Sequence, residues 1–156
     1  MLYLLSGSVF IGFVVADAIS KGLYVPLFSE IIRFLERDVS IPGYGTLLFL
    51  LSSLFVLVLF GPVIASVAVL VLAVLDSFST IIGVYAGKHT LYGKKSIEGF
   101  IGGVVPTFLV LLLVISPVQA GIIAVVAGIV ELVSPIDDNL TVPVAVALLM
   151  VGLGGG

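Results

Sequence analysis

Long apolar runs broken by short polar or glycine–proline interruptions dominate this chain. They fall at Leu2–Ile19, Tyr44–Phe60, Pro62–Ala86, Ile97–Ile115, Pro117–Val133 and Leu140–Leu153. A helix crossing a bilayer needs about 20 mostly apolar residues, with a working range of about 17–25. Most of the runs qualify, and the last is short enough to cross with little tilt. Gly61-Pro62 and Ser116-Pro117 read as tight, uncharged turns. The third run is long enough to break near Asp76-Ser77, since interrupted helices are tolerated where they line a cavity. Between the first two runs, the pattern from Phe28 to Val39 predicts an interfacial helix with Ser29 as N-cap. Its Ile31, Ile32, Leu35 and Val39 face lipid, while Glu30, Arg33, Glu36 and Arg37 face water. The expected fold class is all-α: a polytopic helical membrane protein with about six transmembrane spans plus one interfacial helix. Residues 1–156 form a single transmembrane domain in this reading.

Composition supports that class. Of 156 residues, 61% are hydrophobic and 10% are charged, against about 25% charged in soluble domains. The formal charge of −3 matters less than where the charges fall. Every Lys and Arg lies in one of two connections: Lys21, Arg33 and Arg37 in the first, Lys88, Lys94 and Lys95 in the second. The positive-inside rule places both connections, and with them Ser134–Asn139, in the cytoplasm, and both termini outside. Asp17, Glu98 and Glu131 end their runs on that same side. The chain has no cysteine, which excludes disulfides, thiolate metal sites and a cysteine nucleophile. With a single histidine, zinc chemistry is not expected. Met1 runs into an apolar span without a basic n-region, so no cleaved signal peptide is expected. No nucleic-acid partner is expected; the bilayer itself is one partner, and homo-oligomerisation is left open.

Asp76 lies within the third apolar run. A carboxylate at membrane depth is costly and normally faces a polar cavity, a metal or a basic partner. Glycines and lysines follow it closely: Gly83, Gly87-Lys88-His89 and Gly93-Lys94-Lys95-Ser96, then Glu98-Gly99. Such glycines let backbone amides approach phosphates, although Gly99 and Gly103 equally make a small-xxx-small packing face. Lys94 and Lys95 either balance phosphate charge or simply mark topology. Glu98 is either a metal ligand or a first-turn acid favoured by the helix dipole. Gly83 to His89 is not a Walker A loop, being one residue short and lacking the Ser or Thr. His89 reads as a solvated loop residue. The arginine pair Arg33 and Arg37 shares one helix face, either as a headgroup anchor or lining a nucleotide entrance. Glu131, Asp137, Asp138 and Asn139 add oxygen ligands at the same boundary, with Asp138 or Asn139 alternatively an N-cap to the last span. Asn139-Leu-Thr141 has the form of a glycosylation sequon, but it falls inside, so no glycan is expected.

Two blocks carry a family resemblance. Asp76-Ser-Phe-Ser-Thr-Ile-Ile-Gly83, Gly87-Lys88, Gly93-Lys94-Lys95-Ser96-Ile-Glu98-Gly99 and Gly102-Gly103 are similar to CTP-utilising lipid enzymes such as phosphatidate cytidylyltransferase. Glu131-Leu-Val-Ser134-Pro135-Ile-Asp137-Asp138-Asn139-Leu-Thr141-Val-Pro143 resembles the signature of dolichol kinase, phytol kinase and CTP-dependent diacylglycerol kinases. The region from Glu30 to Glu36 resembles a helix of those kinases, and the basic signature closing a cytidylyltransferase is absent. The kinases' earlier helix, with its Arg-Lys pair and His, would stand before Met1, so an upstream first helix is expected to be lacking.

The resemblance implies a lipid-alcohol kinase that moves the γ-phosphate of CTP to a polyprenol- or dolichol-like lipid, with Mg²⁺ or another divalent cation as cofactor. Asp76 and Glu98 would be catalytic, and Asp76, Glu98 and Asp138 would hold the metal. Lys88, Gly93, Lys94, Lys95, Ser96, Gly99 and Asn139 would bind the nucleotide. Gly83, Gly87, Arg33, Arg37, Glu131 and Asp137 are further candidates. Phosphatidate cytidylyltransferase-like synthesis of a CDP-lipid is the alternative enzyme. In a non-enzymatic transporter or structural subunit, Asp76 would serve an ion pathway.

Overall fold

The computed structural model describes residues 7–8, 10–12, 14–15, 21, 44–93 and 95–154. The interfacial helix expected over 28–39, with Arg33 and Arg37, lies outside the described residues, as do Asp17, Lys94 and most of the first run. The architecture is mostly helical. In chain order come α1 (Tyr44–Ala86), β1 (Thr90–Tyr92), β2 (Lys95–Ser96), α2 (Ile97–Leu111), α3 (Pro117–Val133) and α4 (Asp138–Gly152).

α1 is interrupted at Gly61, whose φ of 83° and ψ of 174° leave the helical region. That conformation is reached essentially by glycine alone, and Pro62 then opens the next arm with a preset helical φ. Two contacts show how sharply the chain turns here. Ser52 Oγ donates to the Asn139 carbonyl at 2.6 Å, and Asp76 groups with the adjacent Asp138. Ser52 and Asp76 would be about 36 Å apart along a straight helix, so the arms 44–60 and 62–86 must fold back. The turn expected at Gly61-Pro62 is therefore present. The break expected near Asp76-Ser77 is not: the helix runs unbroken through Asp76, and a carboxylate oxygen of Asp76 comes within 4.8 Å of those of Glu131 and Asp138 without any unwinding.

The second arm of α1 packs on α2 through glycines. A Cβ built on Gly103 would lie 3.0 Å from Leu75 and from Ser79 Cβ, and one on Gly102 would run into Ile82. The small-residue packing face read at Gly99 and Gly103 is present. α2 also packs on α3, and α4 closes the bundle against α3 and α1. Val56, Ala68, Val71 and Leu72 of α1 share one core with Ile123 and Ala127 of α3 and with Val146 and Met150 of α4. The outward faces are apolar too, with Val63, Ile101, Leu109, Val118 and Leu148 exposed. A helix apolar on all sides belongs in apolar surroundings.

One helix, Gly45–Ala86, is long and apolar enough to cross a membrane. α2, α3 and α4 are apolar but span 15, 17 and 15 residues, less than the ~20 of a straight span. About six full-length spans are therefore not found among the described residues. A small antiparallel ribbon, β1 with β2, interrupts the otherwise helical order. The hydrophobic runs did not predict it, because it lies within a polar connection and turns at Gly93, whose φ is 58°.

Candidate functional site

Three helix-borne carboxylates and one lysine meet at the end of the bundle where α3 gives way to α4. Asp76 comes from α1, Glu131 from the last turn of α3, and Asp138 from the first residue of α4. One carboxylate oxygen from each lies within 4.8 Å of the others. Opposite ligands of a divalent cation with metal–oxygen distances of about 2.0–2.6 Å stand about 4–5 Å apart. Among the described residues, these three carboxylates are a group that could hold a metal ion.

Asp76 reaches this place although it stands ten residues before the end of α1 (86 − 76). That is about 15 Å of helix, so the tail 77–86 runs on past the ends of α3 and α4 alongside the start of α2. The half-buried carboxylate of this apolar run is consequently level with the polar connection 134–137.

Lys95 reaches into the same corner from β2. Its Nζ donates to the Glu131 carbonyl at 2.6 Å, to Asp138 Oδ2 at 2.9 Å and to Glu131 Oε1 at 3.3 Å. Burial alone would depress its ammonium. The hydrogen bond to Asp138 and the charges of Glu131 and Asp138 outweigh that and hold it above its ordinary value. Ser79, one turn after Asp76, donates to Glu131 Oε1 at 2.6 Å. Glu131 is almost fully buried, so these contacts compensate a carboxylate largely removed from water.

The remaining candidates sort by position. Glu98 stands apart from the acidic cluster: it accepts from the backbone N–H groups of Lys88 and His89 and pairs with His89 Nδ1 at 2.6 Å. There it holds the 87–96 connection together, while the carboxylate that stands with Asp76 and Asp138 is Glu131. His89, expected as a solvated loop residue, is exposed but paired. Ser96 is the N-cap of α2, accepting from Gly99 N at 3.1 Å. Gly83 and Gly87 lie against Ser96, and Gly93 forms the ribbon turn. Lys88 is exposed at the start of the connection. The N-cap of α4 is Asp137, which accepts from Asn139 N at 3.0 Å, rather than Asp138 or Asn139. Capping by Asp137 leaves the Asp138 side chain to meet Lys95. Ser79 was not among the expected site residues. Its signal was its spacing, three residues from Asp76 on a helix, which places both on one face.

The fold and site define an apolar helical protein with an acidic, lysine-bridged cluster at one end of its bundle. The chain belongs to the same family as the uncharacterized protein MJ1137 of Methanocaldococcus jannaschii, with 32% identity over 137 residues, 83% of this chain and 69% of that protein. No family model matches the chain, and no solved structure matches it.

Proposed function

We propose that this chain is a multi-pass membrane lipid-alcohol kinase that transfers the γ-phosphate of CTP to a polyprenol- or dolichol-like lipid. The observation that carries the reading is the convergence of Asp76, Lys95, Glu131 and Asp138. Asp76 and Lys95 come from the block similar to CTP-utilising lipid enzymes, and Glu131 and Asp138 from the block that resembles the CTP-dependent lipid kinases. In a membrane setting, the two arms of α1 and the shorter apolar helices would cross together as part of a six-span bundle. The Lys88–Ser96 connection and the cluster would lie on the cytoplasmic side, where CTP is found.

Phosphoryl transfer asks for positioning and charge neutralisation more than covalent work by the protein. The lipid hydroxyl oxygen forms a bond to the γ-phosphorus as the bond from that phosphorus to the β–γ bridging oxygen breaks. CDP leaves with the electron pair, and the hydroxyl proton passes to a carboxylate, for which Asp76 is the candidate. Magnesium held by Asp76, Glu131 and Asp138 would supply charge neutralisation to the phosphate oxygens. Lys95 stands beside those carboxylates as a point charge for the triphosphate.

The test is incubation of the detergent-solubilised chain with Mg²⁺, γ-labelled CTP and a panel of polyprenol, phytol and diacylglycerol. Label in a phosphorylated alcohol is expected. A CDP-lipid formed instead from phosphatidate and α-labelled CTP would replace the kinase reading with the cytidylyltransferase one, and no lipid product in either assay would defeat both.

A further inference from the structure

We infer that Ser79 is a positioning residue for the carboxylate of Glu131, fixing which way that group faces in the cluster. The inference rests on the divalent-cation site proposed above. A serine inside a helix ordinarily donates its single hydroxyl proton to a carbonyl one turn back. Ser79 has that option, with the Asp76 carbonyl at 3.2 Å, but Glu131 Oε1 is nearer at 2.6 Å. The shorter distance is that of a charge-assisted O–H···O⁻ bond, so the proton is committed across the interface between α1 and α3.

Ser79 itself has little room to move. On its other side lies the glycine face of α2: a Cβ built on Gly99 would come within 3.0 Å of the Ser79 carbonyl, and one on Gly103 within 3.0 Å of Ser79 Cβ. The close approach of α1 and α2 therefore sets the hydroxyl, and the hydroxyl sets Glu131. Lys95 Nζ shares the same Oε1 at 3.3 Å. With the serine removed, the lysine is left as the partner of that oxygen, and the carboxylate turns toward it, away from Asp76.

The experiment titrates Mn²⁺ into the detergent-solubilised chain and reads binding by electron paramagnetic resonance. Loss of an outer hydrogen-bond partner commonly costs about 10- to 100-fold in metal affinity. Ser79→Ala is expected to weaken Mn²⁺ binding by about that factor. In a Glu131→Gln background, adding Ser79→Ala is expected to change Mn²⁺ affinity no further, because there is no longer a carboxylate to orient. A serine that merely supports the fold would instead lower the thermal midpoint in both backgrounds and leave Mn²⁺ affinity of the folded fraction unchanged. That result overturns the inference. If the unmutated chain binds no Mn²⁺, the cation site and this inference fall together. If Mn²⁺ binds, is lost in Asp76→Asn and is indifferent to Ser79→Ala, the positioning role alone falls.

Discussion

Asp76 is the residue on which the proposed chemistry turns, and its surroundings separate chemistry from stability. It shares one corner with Glu131 and Asp138, and Lys95 supplies the counter-charge there. Three carboxylates against one ammonium leave a surplus of negative charge, which disfavours the folded state when no cation is bound. Asp76→Asn keeps shape and hydrogen-bonding capacity while removing one of those charges. The expected outcome is an equal or higher thermal midpoint in detergent, with CTP-dependent phosphoryl transfer reduced by about 10²-fold or more. Transfer at the unmutated rate would locate the chemistry elsewhere. Lys95 makes the converse case, because it ties β2 to the end of α3 and the start of α4. Lys95→Met should therefore lower the thermal midpoint as well as weaken CTP binding. Its pH dependence follows from the raised pKa. The stabilisation is fully present below the ordinary lysine value of 10.5 and is lost as pH rises through the higher folded value. Thermal melts in EDTA should show an alkaline loss of stability above about pH 10.5 that is smaller in Lys95→Met than in the parent.

At the level of elements, the site depends on how closely α1 and α2 approach. Gly99, Gly102 and Gly103 form the contact, and a methyl at Gly103 would press on Leu75 and Ser79 Cβ at 3.0 Å. The Leu75 carbonyl is among those neighbours, and backbone cannot swing aside as a side-chain tip can. Gly103→Ala is therefore expected to destabilise by about 1–3 kcal/mol, the usual range for overpacking a filled interface. It should also weaken Mn²⁺ binding, since it displaces Ser79. Gly152 near the end of α4 has nothing within 4 Å of a built Cβ, so Gly152→Ala should be neutral to slightly stabilising. Thermal melts of the two variants side by side check the contrast. Equal effects would mean that close packing at α2 is not what holds the arms. Legibility differed among these elements. The α3 limits, Pro117–Val133, match the apolar run residue for residue, because Ser116 and Pro117 start the helix by local chemistry. The α2 run expected to reach Ile115 ends as a helix at Leu111, since apolar character alone does not distinguish a helix from the turn that follows it.

For the whole molecule, polarity is distributed end to end. Among the described residues of the bundle, the charged side chains lie at or near one end, from Asp76 to the Lys88–Glu98 connection and the Glu131–Asp138 connection. The opposite end, with Gly61-Pro62, Ser116 and Leu153, carries none, and Gln119 Nε2 donates there to the Leu153 carbonyl at 3.1 Å. The proposed topology predicts that single cysteines at Lys88 and Val118, introduced into this cysteine-free chain, react with a membrane-impermeant maleimide from opposite sides of sealed vesicles. Reaction from the same side would overturn the crossing. Helical class, the apolar bundle and this one-ended charge distribution were all determined by the sequence itself, because each follows from composition and order along the chain. The reversal at Gly61 was legible for the same reason, in a glycine–proline pair between two apolar runs. The resemblance had set Asp76 with Asp138, but only the tertiary structure decided that Glu131, and not Glu98, stands with them. Asp76 and Asp138 are 62 positions apart (138 − 76), and nothing local says that α1 overshoots the ends of α3 and α4 by three turns. That overshoot brings Asp76 level with Glu131 and Asp138. Glu98 pairs instead with His89, because helix packing sets the level of each side chain along the bundle.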